Sequence, residues 1–146
     1  MREILFRGKT RGGHKGVLTD KPIKAGVWVY GCLTVGSLCG YKRDLICDQK
    51  ETYVIISETV GQFIGITDKN GVKIFEGDIV KMSFIEEGEE WEPEYLTVYW
   101  DDKVNGFLCH SNQTTMSVDS DLLSDGEVVG NIHDNPELVE VEACRM

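Results

Sequence analysis

Cys32, Cys39, Cys47, Cys109, His14 and His110 are the side chains best suited to hold a soft metal ion. Structural zinc sites draw on ligand pairs two to four residues apart, which a tight knuckle presents together. The spacing Cys32-x6-Cys39-x7-Cys47 contains no such pair, and Cys109 and His110, adjacent on a strand, would point to opposite faces. No metal or other cofactor is expected. A thiol beside His110 or His133 would make an activated nucleophile, but nothing in the sequence holds one against the other. A glycine-bracketed serine elbow and a phosphate-cradling P-loop are both absent. Asp101-Asp102 and the run Asp119, Asp121, Asp125-Gly126 have only a loose likeness to a calcium loop, which alternates oxygen ligands and closes on a bidentate carboxylate. They read as solvated acidic turns. The chain is therefore not expected to be an enzyme, and its five cysteines, Cys144 among them, are expected to be free and mostly buried thiols.

The elements that would position any site are short strands. The 146 residues, 41% of them hydrophobic, suffice for one compact domain (1–146) or two lobes (1–57 and 58–146). Sixteen glycines against three prolines, with β-branched and aromatic residues in short runs, predict an all-β or mainly β fold. Ile4-Leu5-Phe6 opens a first strand, and Gly8 to Gly16 (GKTRGGHKG) is a basic loop or mobile hairpin tip. Val27 to Tyr30 places Trp28 and Tyr30 on one strand face and Val27 and Val29 on the other. Tyr53 to Ile56 is another short strand.

Asp68-Lys69-Asn70-Gly71 predicts a tight hairpin: Asp bonds back to its own turn, and Asn-Gly accepts positive φ, so Val60 to Ile66 pairs with Val72 to Phe75. Glu76-Gly77-Asp78 then turns into a strand over Ile79 to Phe84. Glu86 to Glu94, with six glutamates in nine residues, reads as a solvated loop. Tyr95 to Trp100 and Phe107 to Cys109 form a second hairpin, and Ser111 to Gly126 is a polar passage. Val128 to Ile132 is the last strand. A short C-terminal helix starts at Pro136, capped by Asn135.

Arg2 to Lys9 (REILFRGK), Trp28 to Gly31 (WVYG), Glu58 to Lys81 (ETVGQFIGITDKNGVKIFEGDIVK) and Val128 to Leu138 (VVGNIHDNPEL) occur in an order that resembles the YopX family. These motifs amount to 47 of the 146 residues and are spread over the whole chain. The resemblance implies a phage- or prophage-encoded protein, and Met1-Arg2-Glu3 leading into a strand-like run rather than a signal-peptide apolar core gives the expectation of the cytoplasm of a bacterial host. The resemblance also implies a small SH3-like or partly open β-barrel with additional strands, and no assigned activity, so no catalytic residue is carried over. The cysteine-bearing insert around Cys32 to Cys47 and the glutamate-rich loop depart from the pattern.

Charge suggests where function lies. The net charge is -10, but the chain up to Arg43 carries +7 and the remainder -17. Arg7, Lys9, Arg11, Lys15, Lys21 and Lys24 could meet phosphates, with Trp28 and Tyr30 either stacking bases or lying in the core. Trp91, alone in the glutamate-rich segment, is either an interface anchor or folded back on the body. The preferred reading is a protein-interaction module acting on a host or phage protein; nucleic-acid binding through the basic segment is the alternative. Open strand edges also allow a homo-oligomer. No run is long and apolar enough to span a membrane, the richest, Ala25 to Gly40, being short and glycine-broken.

Overall fold

The computed structural model describes residues 3–38, 41–83, 85–111, 114–118 and 120–139. They form two compact units, Met1–Phe63 and Ile64–Met146. The first contains β1 (Phe6–Lys9), β2 (Trp28–Leu38), β3 (Tyr41–Cys47), β4 (Thr52–Val54), a 3-10 turn (Ser57–Thr59) and the start of β5 (Gly61–Thr67). These strands are antiparallel in the order β4-β3-β2-β1-β5. Val29, Ile46 and Ile55 make the core of this unit, with Phe6, Leu33, Tyr53 and Val60 packed around them. Gly8 is required there because a Cβ would overlap the Ile55 side chain.

The cysteine-bearing insert is the largest departure from expectation. VWVY is only the beginning of an eleven-residue strand, and β2 pairs with β3 in unbroken register from Cys32↔Cys47 to Leu38↔Tyr41. Gly31 and Gly36 look like breakers in a sequence. Each instead sits where a side chain would collide, Gly31 against the Cys47 carbonyl and Gly36 against Leu45. Gly8 to Gly16, expected as a loop or a hairpin tip, ends β1 and then enters an irregular hairpin over residues 10–27. Thr10 and Ile55 bridge at its base, Lys15 and Pro22 further out, and His14 O accepts from Ile23 N at 3.0 Å.

The second unit continues β5 and adds β6 (Lys73–Phe75), β7 (Asp78–Met82), β8 (Ile85–Glu86), β9 (Glu89–Glu90), β10 (Glu94–Asp101), β11 (Gly106–His110), β12 (Thr115–Ser117), helix α1 (Ser120–Leu123) and β13 (Glu127–Asn131). β5 lies beside β6, and a five-stranded antiparallel sheet runs β12-β11-β10-β7-β13. Alternation along β7 and β10 turns Val80, Met82, Leu96 and Val98 inward onto Ile74, Cys109 and Leu123, all seven buried. Cys109 is thus a core thiol, as expected of it. The fold is mainly β with a short C-terminal helix over residues 136–139. Among the described residues neither sheet closes into a barrel.

The expected turn chemistry is present and reaches further than its own hairpin. The Asp68 carboxylate accepts from Asn70 N (2.8 Å) and Val72 N (2.9 Å) in the turn, and its other oxygen accepts from Val128 N (2.9 Å) on β13. Gly71 adopts φ +79°. At the next turn, Asp78 accepts from Phe75 N at 2.8 Å, with Gly77 at φ +88°. Three expectations change. The polar passage holds β12 and α1, because Leu122 and Leu123 have core to pack against. The glutamate-rich segment contains the β8–β9 ribbon, and Phe84, expected to end the β7 strand, lies outside the described residues. Asn135 does not cap the last helix through its side chain; its Oδ1 accepts from Asn131 N at 3.2 Å, bracing the bend before the helix.

Burial alone would push the Asp68 carboxyl up, but the N–H groups of Val128, Val72 and Asn70, with Lys69 nearby, hold it below its usual range. Hydrogen bonds to a charged acceptor contribute about 1.5–3 kcal/mol each and leave buried donors stranded when removed. Asp68→Ala should therefore lower unfolding stability by about 3 kcal/mol or more, read as a fall in urea midpoint at unchanged denaturant slope.

Candidate functional site

The first unit contains a basic groove that no single stretch of sequence shows. Segment 54–56 runs between two neighbours: Arg11 N donates to Val54 O (2.9 Å), Ile56 N to Lys9 O (2.9 Å) and Ile55 N to Asp44 O (2.9 Å). Arg11 is thereby brought near Lys42 and Arg43 of β3. These three cations, with Ile55, Ile56, Ser57 and Glu58, line a groove of about 500 Å³. Three positive groups face one carboxylate. Among the described residues neither Arg11 nor Lys42 has an ion-pair partner, while Arg43 lies over the exposed Tyr41 ring at 5.3 Å. Unpaired cations converging on a concave wall attract an anion more strongly than the same charges scattered over a surface.

The other basic candidates are dispersed. Arg7 is buried, and its guanidinium stacks 4.7 Å from the Trp28 ring centroid, with the Lys9 ammonium 5.5 Å from the same ring. Register explains this, since Arg7 is opposite Tyr30 and Lys9 opposite Trp28 on one sheet face. The Trp28 ring is therefore held by cations. Tyr30 is 46% exposed, whereas Val29 between them is core. Lys15 and Lys24 stand exposed on the 10–27 hairpin. Lys42 and Arg43 were not anticipated. Their only signal is an adjacent pair of cations at the start of β3, whose partner strand β2 is interrupted by two glycines in the sequence.

One carboxylate fixes the basic hairpin. Glu51, only 3% exposed, accepts from Leu18 N (2.9 Å), Thr19 N (2.9 Å), the Thr19 hydroxyl (2.6 Å) and Thr52 N (2.9 Å). Gly16 lies against the same carboxylate, where a Cβ would overlap it. His14 braces the hairpin from inside, its Nδ1 3.2 Å from Gly12 O and its Nε2 3.5 Å from the donating Val54 N. Thr10, also buried, donates to Lys24 O at 2.6 Å and accepts from Val27 N at 3.0 Å. The segment is an ordered platform.

The second unit carries the other candidate. β8 and β9 join through Glu87 (φ +54°) and Gly88 (φ +80°), both in the left-handed region, as a two-residue type I′ turn demands. Trp91 follows this acidic ribbon and is 57% exposed, and Ile85 is 74% exposed. The remaining reactive groups are separated. Burial pushes the Cys109 thiol up to about 11, so it is no thiolate at neutral pH, and His110 is exposed on the opposite strand face, edge-on to Tyr99. Asp101 caps Lys103 N and Val104 N, and Asp102 accepts from Trp100 Nε1, so this acidic pair serves its turn. Among the described residues no three His, Cys, Asp or Glu side chains cluster as metal ligands.

A family model described as YopX protein matches residues 37–140. No curated protein matches. Among solved structures, the crystal structure of protein EF1440 from Enterococcus faecalis is similar at 24% identity over 74% of this chain and 75% of that one, with a TM-score of 0.43. No helix among the described residues is long and apolar enough to cross a membrane.

Hydrogen bonds led by Leu18 N and the Thr19 hydroxyl lower the Glu51 carboxyl from 4.5 to about 2. A depressed folded-state value contributes stability above the unfolded value and loses it as pH falls through the folded one. The Leu18 and Thr19 amides should thus be protected from hydrogen exchange above pH 4.5 and become progressively unprotected toward pH 2. Glu51→Gln should show weakened protection at every pH.

Proposed function

The chain belongs to the YopX family, its model matching residues 37–140, and on that footing we propose that the protein is a non-enzymatic interaction module whose basic groove takes an acidic segment of a protein partner. The observation that carries this reading is the convergence of Arg11, Lys42 and Arg43 around one concavity, two of them without an ion-pair partner among the described residues. The groove also has an apolar wall of Ile55 and Ile56, suited to aliphatic side chains between the partner's carboxylates. The buried, protonated Cys109 and its separation from His110 support a role without nucleophilic chemistry.

Trp91 offers a second, independent contact. An exposed tryptophan beside an acidic ribbon matches the aromatic anchors that carry interface energy, and its surroundings favour a basic partner surface. Trp91→Ala should leave the thermal unfolding midpoint within about 1 °C of wild type, because a surface side chain away from the core contributes little to stability. It should also weaken partner retention. A fall of several degrees would show that the ring packs in the folded chain.

Nucleic-acid binding is the second reading, favoured by exposed Tyr41 and Tyr30 near the basic residues. The two part company in one experiment: capture from bacterial cells by the tagged full-length chain, with and without nuclease, using wild type and the Arg11→Glu/Lys42→Glu double variant. A protein that survives nuclease and disappears with the double variant supports the proposal. Retention abolished by nuclease moves the assignment to nucleic acid, where three phosphate contacts would give a log–log salt slope of about −2 on single strands. Retention unaffected by the variant removes the groove from the function.

A further inference from the structure

Cys32 and Cys47 are fifteen positions apart in sequence but are direct cross-strand partners in the β2–β3 register. The kind of pairing follows from the neighbouring strand. Ile55 N donates to Asp44 O and Asp48 N to Glu51 O, so residues 44 and 48 of this stretch aim their backbone groups toward the β4 side. Alternation then aims the N–H and C=O of Cys47 toward β2. Cys32 and Cys47 therefore form a hydrogen-bonded pair, for which Cα atoms lie about 5.5 Å apart. That Cα separation is within the window of about 4.4–6.8 Å for a disulfide. The Cβ atoms of a hydrogen-bonded pair stand about 5.5 Å apart against the usual span of about 3.5–4.5 Å, so closure draws the two strands together locally and leaves a strained, readily reduced bridge.

Directly opposed residues also project from the same face of a sheet. Here the face is the one turned away from core residues Leu33 and Ile46, so the thiols are reachable: Cys32 is exposed and Cys47 half-buried, both as free thiols. By contrast Cys109 is fully buried on another sheet. Gly31 gives the Cys47 carbonyl its close approach to β2 at this pair.

We propose that Cys32 and Cys47 are a dithiol modification site that reacts with low-molecular-weight disulfides of the glutathione type and closes to an intrachain disulfide. In the first step one cysteine, as thiolate, attacks a sulfur of glutathione disulfide; its S–S bond breaks, a mixed disulfide forms and one glutathione thiolate leaves and takes up a proton. In the second step the other cysteine, having lost its proton, attacks the protein sulfur of that mixed disulfide and the second glutathione leaves. Two cysteine thiols are oxidised and one glutathione disulfide is reduced to two glutathiones. An exposed cross-strand bridge of this kind is accessible to the reverse exchange, so the modification is reversible by excess reduced glutathione.

The test uses the full-length folded chain with glutathione disulfide, followed by alkylation, intact mass and peptide mapping. The expected product has lost two free thiols and two hydrogens, holds no glutathione, and yields a Cys32–Cys47 linked peptide that reductant separates. Cys32→Ser and Cys47→Ser should each trap a lasting glutathione adduct on the remaining partner, because the resolving thiol is gone. Three outcomes overturn the proposal: wild type that keeps glutathione on Cys32 or Cys47 without closing, full alkylation of both after treatment, or linkage of either to Cys39 or Cys144. Repeating the reaction in urea separates register from chance; closure that is no faster in the folded chain than in the unfolded one also overturns it.

Discussion

Carboxylates received by backbone N–H groups organise this protein. A chain built from many short strands has many turns, and each turn leaves donors that must be satisfied before it can be ordered. Glu51 satisfies Leu18, Thr19 and Thr52, while Asp68 joins its own turn to β13 and Asp78 closes the turn before β7. Each is almost fully buried, and each has an ionic acceptor where a neutral one would hold less firmly. The groove depends on the same device. Arg11 lies at the base of the hairpin that Glu51 fixes, so the platform beneath the cation is set by hydrogen bonds the cation does not make.

Charge asymmetry has a different meaning in three dimensions than along the chain. The +7 character up to Arg43 is not one patch. Among the described residues Arg7 and Lys9 lie against Trp28, Lys15 and Lys24 are spread along a hairpin, and Arg11, Lys42 and Arg43 converge. The acidic excess is likewise divided between buried acceptors that build turns and exposed glutamates on the β8–β9 ribbon. A binding surface is what remains after the fold has taken the charges it needs.

What was legible in the sequence was local. The Asp68 to Gly71 turn, the β10–β11 hairpin and the β strand ending near Asn131 could be read because turn chemistry and alternation act within a few residues. The β2–β3 hairpin was hidden because the apolar pattern of Val27 to Tyr30 stops at Gly31, whereas Gly31 and Gly36 relieve contacts with residues on the opposite strand. Glu51 reads like any glutamate in a polar stretch, since its Leu18 and Thr19 donors lie more than thirty positions upstream. Arg11 was a candidate, but Lys42 and Arg43 could not be joined to it without that hairpin. Spacing argues against the cysteines as a metal set but says nothing about register; only pairing across strands shows that Cys32 and Cys47 face each other.

The way Glu51 holds the 10–27 hairpin also makes its tip a permissive graft position. Most of its donors there are main-chain amides, which belong to every residue except proline, and the side chains of Val17 and Leu18 are 64% and 62% exposed. Provided Gly16 keeps its space and Thr19 its hydroxyl, positions 17 and 18 are free to carry unrelated side chains over an unchanged backbone. The tip is thus a ready-made display site, where an epitope, a label or a crosslinker can be installed on a rigid mount beside the groove's own hairpin.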